Sequence, residues 1–202
     1  MGTRIITIER QYATGGKKIA KMVAEKLGIP YYNNHILELA GEKIGLPADY
    51  LMDVEETTSG SLLFSLAMAA TVNATGVTLM SLSQQLFLAE EEIINELVKQ
   101  GPCVIVGRCA GHILRDREDC LNVFIYGERE KRIDRALNVY NVPRNEVESM
   151  VRKMDKRRAN FYNTSAQKRW GERDNYHLCL DSSTLGIEKC AEIIAEAAKI
   201  ND

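Results

Sequence analysis

Short apolar runs with the composition of strands alternate with helical patterns along the whole chain, and this alternation limits the fold more than any other feature. Two of the runs, Cys103–Val106 and Asn122–Tyr126, are nearly continuous apolar segments, as expected for strands that are covered on both faces. The other predicted strands are Arg4–Glu9, Tyr31–Tyr32 and Tyr176–Leu180. Because strands separated by helices join into parallel sheets, the sequence predicts a three-layer α/β fold in which helices flank a five-stranded parallel sheet.

The segments between these strands carry apolar residues at helical spacing. Gly28 and Pro30 end the first helical pattern, and Gly101 with Pro102 ends the one before the third strand. Pro47 begins a further short helical turn. Helices are predicted over residues 15–27, 36–44, 79–100, 128–140, 143–154 and 187–200. A chain of 202 residues with 45% hydrophobic residues is long enough to bury a core and fits a single domain.

Charge and cysteine content limit the partners and the compartment. The formal net charge of -2 gives no overall attraction to nucleic acid or to an anionic membrane, so neither is an expected partner. The five cysteines form no C-x-x-C pair, which predicts free thiols, no zinc site and a reducing cytoplasmic compartment.

The stretch from Thr57 to Ala89 contains no charged side chain. Its length would allow a membrane span of about 20 residues. However, many serine, threonine, asparagine and glutamine side chains interrupt it, and these would need hydrogen-bond partners in hydrocarbon. Two helices that join near residues 73–76 are the better interpretation, and they either cover the core or form a homodimer interface within residues 57–100.

A glycine-containing turn follows the first strand and leads directly into a helix. Such a turn presents backbone N–H groups and the positive end of the helix dipole to an anion, and Lys17 and Lys18 add full charges. The turn departs from the pattern G-x-x-x-x-G-K-[ST]: counted from Gly15, Arg10 stands at the first glycine and Gly16 at the lysine. The turn is therefore either a phosphate site or an ordinary strand-to-helix turn with surface lysines.

The segment ITIERQYATGGKKIAKMVAEKLGIPYYN resembles the opening of the cytidylate kinase-like proteins, a branch of the nucleoside monophosphate kinases. In that family an R-x-Y-x-[ST]-G-G-[KR] loop replaces the usual Walker A sequence. Ala13 differs from the glycine that is often found at its position. The resemblance extends over nearly the whole chain and is weakest between residues 50 and 90. The positions of the loop pattern are occupied by Arg10, Tyr12, Thr14, Gly15, Gly16 and Lys17.

The resemblance implies a phosphate-loop (P-loop) kinase fold in a single domain. Residues 1–56 and 101–202 would form its core, and residues 57–100 a helical insert on the acceptor side. Residues from about 152 to 173 would form a helical lid. The loop from Arg10 to Lys18 would bind the phosphates of the nucleotide.

Gly107 and Arg108 follow the third predicted strand, at the edge of the sheet where open α/β folds bind ligands. An arginine suits a phosphate because its guanidinium donates two parallel hydrogen bonds. These residues resemble the G-R-D stretch with which cytidylate kinases contact the acceptor nucleotide, although Cys109 replaces the aspartate. The alternative is an arginine that forms a salt bridge at the end of the strand.

A basic segment from Arg152 to Arg173 holds eight lysine or arginine residues against only Asp155 and Glu172. Asp155, Arg158 and Tyr162 share one face of a predicted helix, and Arg157 lies on another. The segment resembles the lid of the cytidylate kinase group, in which D-x-x-R spacing brings positive charge to the phosphoryl group in transfer. The alternative is a solvated basic helix face.

Other candidates have weaker support. Asn33 lies where relatives commonly carry an aspartate that orients the acceptor, and Glu9 either binds magnesium through water, accepts a proton or pairs with a loop lysine. Asp181 follows the last strand, where its expected role is to cap the next turn.

The resemblance implies phosphoryl transfer from ATP, with Mg²⁺, to a nucleoside monophosphate such as CMP. Lys17, Arg157 and Arg158 would act in catalysis, while Asn33, Arg108, Asp155 and Tyr162 would bind the acceptor. The protein itself is expected to provide no dedicated metal site. The alternative is a module that binds a nucleotide or a phosphorylated metabolite without transferring a phosphoryl group.

Overall fold

A computed structural model describes residues 4–47 and 80–199. Five strands form one parallel sheet in the order β2-β3-β1-β4-β5. The strands are β1 (Ile5–Arg10), β2 (Tyr31–Tyr32), β3 (Cys103–Val106), β4 (Cys120–Tyr126) and β5 (Leu178–Asp181). The predicted five-stranded parallel sheet is thus confirmed, and each observed strand overlaps the run that predicted it.

Eight α-helices lie in the described part of the chain. They are α1 (Gly16–Leu27), α2 (Asn34–Ile44), α3 (Leu82–Gln100), α4 (Ala110–Ile113), α5 (Arg129–Asn138), α6 (Val147–Ala166), α7 (Ser182–Leu185) and α8 (Ile187–Lys199), with a 3-10 turn at Arg173–Asn175. The sequence did not predict α4, α7 or the 3-10 turn, because elements of three or four residues are too short to show a periodic pattern.

Helices cover both faces of the sheet. On one face, α1 and α8 pack on β1, β3 and β4 and bury a core of aliphatic side chains that includes Ile8, Val23 and Ile194. On the other face, α3 and α4 pack on β1 and β3 through residues such as Ile94 and Ile105. Both faces of the sheet are therefore apolar, which explains the continuous apolar runs of β3 and β4.

The strand β1 lies in the middle of the sheet and pairs with β3 on one side and β4 on the other. The chain passes from β1 to β2 and β3 on one side of the sheet and then crosses to β4 and β5 on the other. Ligands of open α/β sheets bind where the strand order reverses in this way, at the carboxyl ends of the strands. The topology therefore places the ends of β1 and β3, with the loops that follow them, at the expected ligand site.

Several predictions concern residues 48–79, which lie outside the described residues. These include the helical turn after Pro47, about half of the proposed insert and dimer interface, and most of the uncharged stretch. Within residues 4–47 and 80–199, no helix combines the length and apolar character that a membrane crossing requires. All five cysteines are free, as predicted, and four of them are buried.

The Asp181 side chain caps α7, in agreement with its expected role. Its Oδ1 accepts hydrogen bonds from the backbone N–H groups of Ser183 at 2.8 Å and Thr184 at 3.3 Å. Both hydroxyl groups of these residues also donate to the carboxylate. Asp181 thus satisfies N–H groups that would otherwise lack a partner at the start of the helix.

Replacing Asp181 with alanine is expected to lower the free energy of unfolding by about 1 kcal/mol, the usual effect of losing an N-cap, whereas asparagine keeps most of it. Hydrogen bonds from Ser183 lower the pKa of Asp181 below its ordinary value of 3.8. The associated stabilisation is complete above that pH and is lost as the pH falls further, so the deficit of the alanine variant shrinks in acid. Urea unfolding at pH 7 and pH 3 measures both effects.

Candidate functional site

A cleft of about 330 Å³ opens at the carboxyl ends of the strands. It is lined by the end of β1, the loop after it, the start of α2, the loop after β3, and one face of α6. Five cationic side chains and one acidic side chain contribute to its walls: Arg10, Lys17, Arg108, Arg157, Arg158 and Glu9. The three cationic segments predicted from the sequence therefore meet in a single cleft.

The loop between β1 and α1 forms one wall of this cleft. Gly15 is the N-cap of α1 and adopts a left-handed conformation with φ of 77°. The first turn of α1 contains no acidic residue, and the first N–H groups of any helix lack intrahelical acceptors. The loop therefore offers an anion both backbone N–H groups and the positive end of a helix dipole.

The two lysines of this loop have different positions. Lys17 lines the cleft. Lys18 instead points to α8, where its Nζ lies 3.6 Å from a carboxylate oxygen of Glu188. Both partners of this ion pair are more than half exposed, so the pair adds little stability. Of the two lysines, the structure therefore brings only Lys17 to the site.

Thr14 and Ala13 shape the loop. The Thr14 hydroxyl donates to the Gln11 carbonyl oxygen at 2.9 Å, so its contribution is to fold the loop onto itself. Ala13 has a φ of 60°, a left-handed conformation that favours glycine. This conformation accounts for the glycine that relatives often carry there. In this chain the Ala13 side chain is buried against Ala136 and Val147, which offsets part of the strain.

Helix α6 covers the loop and contributes two arginines to the cleft. The Arg158 Nη1 donates to the carbonyl oxygen of Arg10 at 2.9 Å, and its guanidinium carbon lies 5.9 Å from the centre of the Tyr12 ring. Loss of water around Arg158, together with repulsion from Arg10, lowers its pKa to about 9. Arg158 remains charged at neutral pH, and an incoming anion would offset the unfavourable burial of this charge.

Arg157 lies on the neighbouring part of the same helix, where its Nη1 contacts the Met154 sulfur at 3.7 Å. Helical spacing had placed Arg157 and Arg158 on different faces. Both side chains nevertheless line the cleft, because the cleft-lining positions 154, 157, 158, 161 and 162 have the spacing of a single helix face.

Asp155 holds α6 against the loop and against α5. One of its carboxylate oxygens accepts from the Tyr12 backbone N–H at 2.7 Å, and the other lies 2.6 Å from Arg132 Nη1. The Arg132 side chain is only 9% exposed. Asp155 was expected to bind the acceptor, but in the structure both of its oxygens are engaged by the protein.

The backbone after β3 has an unusual conformation. Gly107, Arg108 and Cys109 all have φ between 55° and 72°, three left-handed residues in succession. Arg108 lines the cleft, and its Nη1 lies 3.1 Å from an oxygen of Glu90, whose side chain is fully buried. The structure thus combines both interpretations of Arg108, since the residue is salt-bridged at the end of a strand and also faces the cleft.

Glu9 is the one acidic side chain among the cleft-lining residues of the described chain, and it is 6% exposed. The indole N–H of Trp170 donates to its Oε2 at 3.4 Å. Burial raises the pKa of the Glu9 carboxyl, while the charges of Arg10 and Arg158 oppose this shift. The group therefore binds a proton more readily than an ordinary carboxylate, and it lies beside two guanidinium groups.

Asn33 and Tyr162 complete the predicted set. Asn33 is buried at the start of α2 and lines the cleft without capping the helix. Tyr162 is also buried and lines the cleft, and burial beside Cys109 and Glu9 raises its pKa to about 12. Both predicted residues therefore belong to the wall of the cleft.

Some cleft residues were not predicted. Tyr140 packs edge-on against Tyr12 with ring centres 5.7 Å apart, and Phe161 packs on Phe87 in the same way at 6.2 Å. The partner carboxylate of Arg108, Glu90, was also missed. Each of these side chains belongs to an amphipathic helix or its end, where the local sequence does not show which residues face a ligand.

Residues 5–184 match the sequence model of one protein family, described as the cytidylate kinase-like family. The chain belongs to this family. The predicted resemblance to this family is therefore confirmed, and it extends over most of the length of this cytidylate kinase-like chain. A search of curated proteins found no match.

Solved structures show the same fold. An uncharacterized protein from Eubacterium ventriosum is 22% identical, with a TM-score of 0.70 and coverage of 96% of this chain and 97% of that one. A shikimate kinase from Acinetobacter baumannii, solved with shikimate, is 16% identical with a TM-score of 0.56, covering 98% and 94%. A gluconokinase from Sinorhizobium meliloti is 12% identical with a TM-score of 0.50, covering 98% and 91%. The cytidylate kinase-like chain thus has the P-loop kinase fold.

Proposed function

We propose that this protein transfers the terminal phosphoryl group of ATP to a nucleoside monophosphate, with CMP as the first acceptor to test. The observation that carries this proposal is the convergence of Lys17, Arg108 and Arg158, from three distant segments, on one cleft at the strand ends. Phosphoryl transfer depends mainly on positioning and on neutralising charge, and a cleft rich in guanidinium groups is suited to both.

In this proposal the loop from Thr14 to Lys17 holds the donor phosphates through backbone N–H groups and the Lys17 ammonium group. Arg157 and Arg158 stabilise the charge that develops on the transferring group. Asn33, Arg108 and Tyr162 face the acceptor. Asp155 acts indirectly, because its contacts with Tyr12 and Arg132 hold α6 over the loop.

Magnesium would accompany the nucleotide. Mg²⁺ in kinases is usually bound by one or two carboxylates together with phosphate oxygens and water. Among the described residues no cluster of three metal-binding side chains is present, but Glu9 supplies one carboxylate inside the cleft. This carboxylate supports the proposal: Glu9 would hold the ion through water, and the ion would neutralise phosphate charge.

The test is steady-state ADP formation by the purified protein with Mg²⁺ and ATP, using CMP, dCMP and UMP as acceptors. We expect ADP release that requires one of these pyrimidine nucleotides and disappears when EDTA removes the metal. A reaction without acceptor measures ATP hydrolysis and is the control. Failure to turn over any member of a full panel of nucleotides would contradict the proposal.

A second candidate function is nucleotide binding without transfer. The observation that favours it is the salt bridge of Arg108 to buried Glu90, because this carboxylate competes with an acceptor phosphate for the guanidinium. Calorimetry separates the two functions. Tight binding of ATP without turnover on any acceptor would select the binding module.

A further inference from the structure

The phosphate loop departs from the standard pattern at two positions, 10 and 16. With Gly15 as the second glycine of G-x-x-x-x-G-K-[ST], Arg10 stands at the first glycine and Gly16 at the lysine. The structure supports this alignment, because Gly15 is the left-handed N-cap and α1 begins at Gly16. An arginine has therefore replaced a glycine, and a glycine has replaced the lysine.

The Arg10 side chain lies in the space where a side chain at position 16 would begin. A Cβ atom on Gly16 would lie 2.8 Å from Arg10 Cβ and 2.9 Å from Arg10 Cγ. Real Cβ atoms essentially never approach other carbon atoms so closely, so a lysine at position 16 and the present path of Arg10 exclude each other. Gly16 is small because Arg10 passes beside it.

The far end of Arg10 reaches the loop after β3. A Cβ atom on Gly107 would collide with Arg10 Nη1. The Arg10 side chain thus extends from the end of β1, past Gly16 in the first turn of α1, to the backbone of Gly107, and it lines the cleft. The missing side chains of Gly16 and Gly107 leave the space that the Arg10 side chain occupies.

We propose that Arg10 takes the place of the missing loop lysine and supplies the fixed positive charge that binds the phosphates of the nucleoside triphosphate. This inference rests on the proposed function only in requiring that a nucleoside triphosphate binds in the cleft. An arginine suits the role because its planar group donates paired hydrogen bonds to phosphate oxygens and keeps its charge. Its neighbour Arg158 adds a second positive charge, and repulsion between the two guanidinium groups favours an anion that binds to both.

The decisive experiment restores the standard pattern. Calorimetry measures the dissociation constants of Mg²⁺-ATP and of tripolyphosphate for wild type, Arg10→Met, Arg10→Lys, Gly16→Lys and the double variant Arg10→Gly/Gly16→Lys. We expect Arg10→Met to weaken both ligands by about tenfold to a hundredfold, the effect of losing charged hydrogen bonds, and Arg10→Lys to recover part of this loss. Gly16→Lys alone should also weaken binding, because its side chain collides with Arg10.

The double variant distinguishes a direct role of Arg10 in phosphate binding from a merely structural role. Removing Arg10 frees the space for a lysine at position 16, so the double variant should bind better than either Arg10→Met or Gly16→Lys. Arg115→Gln removes one arginine that is half exposed and outside the cleft, and it should bind as wild type does. Thermal unfolding of every variant confirms that each one is folded.

Three outcomes would overturn the inference. Unchanged binding in Arg10→Met would show that the guanidinium does not contact phosphate. A double variant that does not bind better than each of Arg10→Met and Gly16→Lys would show that positions 10 and 16 do not exchange roles. Wild type that binds neither ATP nor tripolyphosphate would overturn both this inference and the proposed function, whereas binding without turnover would contradict only the latter.

Discussion

Replacing Arg158 with methionine is expected to lower the turnover number for phosphoryl transfer by about a thousandfold or more, the effect of removing an arginine that neutralises the transferring group. The reason is its position. Arg158 is held over the phosphate loop by a hydrogen bond to the Arg10 carbonyl, and its charge lies beside that of Arg10. Methionine keeps the aliphatic part of the side chain but removes the charge.

The stability of the same variant should change little. Methionine loses the hydrogen bond to Arg10 and the contact with the Tyr12 ring, but it also removes a charge whose burial is unfavourable. The measurement is the turnover number with saturating substrates alongside thermal unfolding. Arg152→Met, an exposed position on the same helix, is the control and should retain activity. Similar turnover numbers for Arg158→Met and Arg152→Met would show that Arg158 does not act in catalysis.

The largest loss of stability is expected for Asp155→Ala, about 3–5 kcal/mol of unfolding free energy. This change leaves the Arg132 guanidinium nearly buried without its carboxylate and leaves the Tyr12 N–H without its acceptor. Asparagine at the same position keeps an acceptor for Tyr12 but loses the charge, so an intermediate loss is expected. Urea unfolding monitored by circular dichroism measures all three proteins.

The chain contains a matched control for this prediction. Arg129 and Glu148 form another arginine–carboxylate pair between the same two helices, α5 and α6, at 2.7 Å, but both side chains are about half exposed. Glu148→Ala should therefore cost less than about 1 kcal/mol. Equal losses in the two alanine variants would mean that burial does not determine the contribution of these pairs.

Much of the fold was predictable because each strand and long helix has its own local pattern. The run CVIV needs apolar residues on both faces, and the strand β3 occupies the predicted residues Cys103–Val106. The strand β2 also keeps its predicted residues, Tyr31–Tyr32. The ends of β1, β4 and β5 differ from the prediction by one or two residues, since hydrogen bonding to a neighbour, and not local composition, decides where a strand ends. The β5 strand, for example, begins at Leu178 and not at Tyr176.

The site was predictable in its segments but less so in its contacts. The loop, the end of β3 and the basic helix were all identified, and Lys17, Arg108 and Arg158 do share a cleft. Lys18 could not be separated from Lys17, because its partner Glu188 is 170 residues away in sequence. The path of the Arg10 side chain beside Gly16 and the distant Gly107 was also not predictable, so the sequence did not show that the departures at positions 10 and 16 are physically linked.

The central position of β1 has a consequence for the order in which this molecule assembles. Ile5 pairs with Cys103 and with Cys120, so the strand that carries the phosphate loop finds both neighbours about 100 residues further along the chain. Closing loops of that length costs entropy before any pairing is gained, and contacts so distant in sequence slow folding. During synthesis, the phosphate loop must therefore wait until the residues of β3 and β4, about 100 positions later in the chain, have been made before it acquires its final shape.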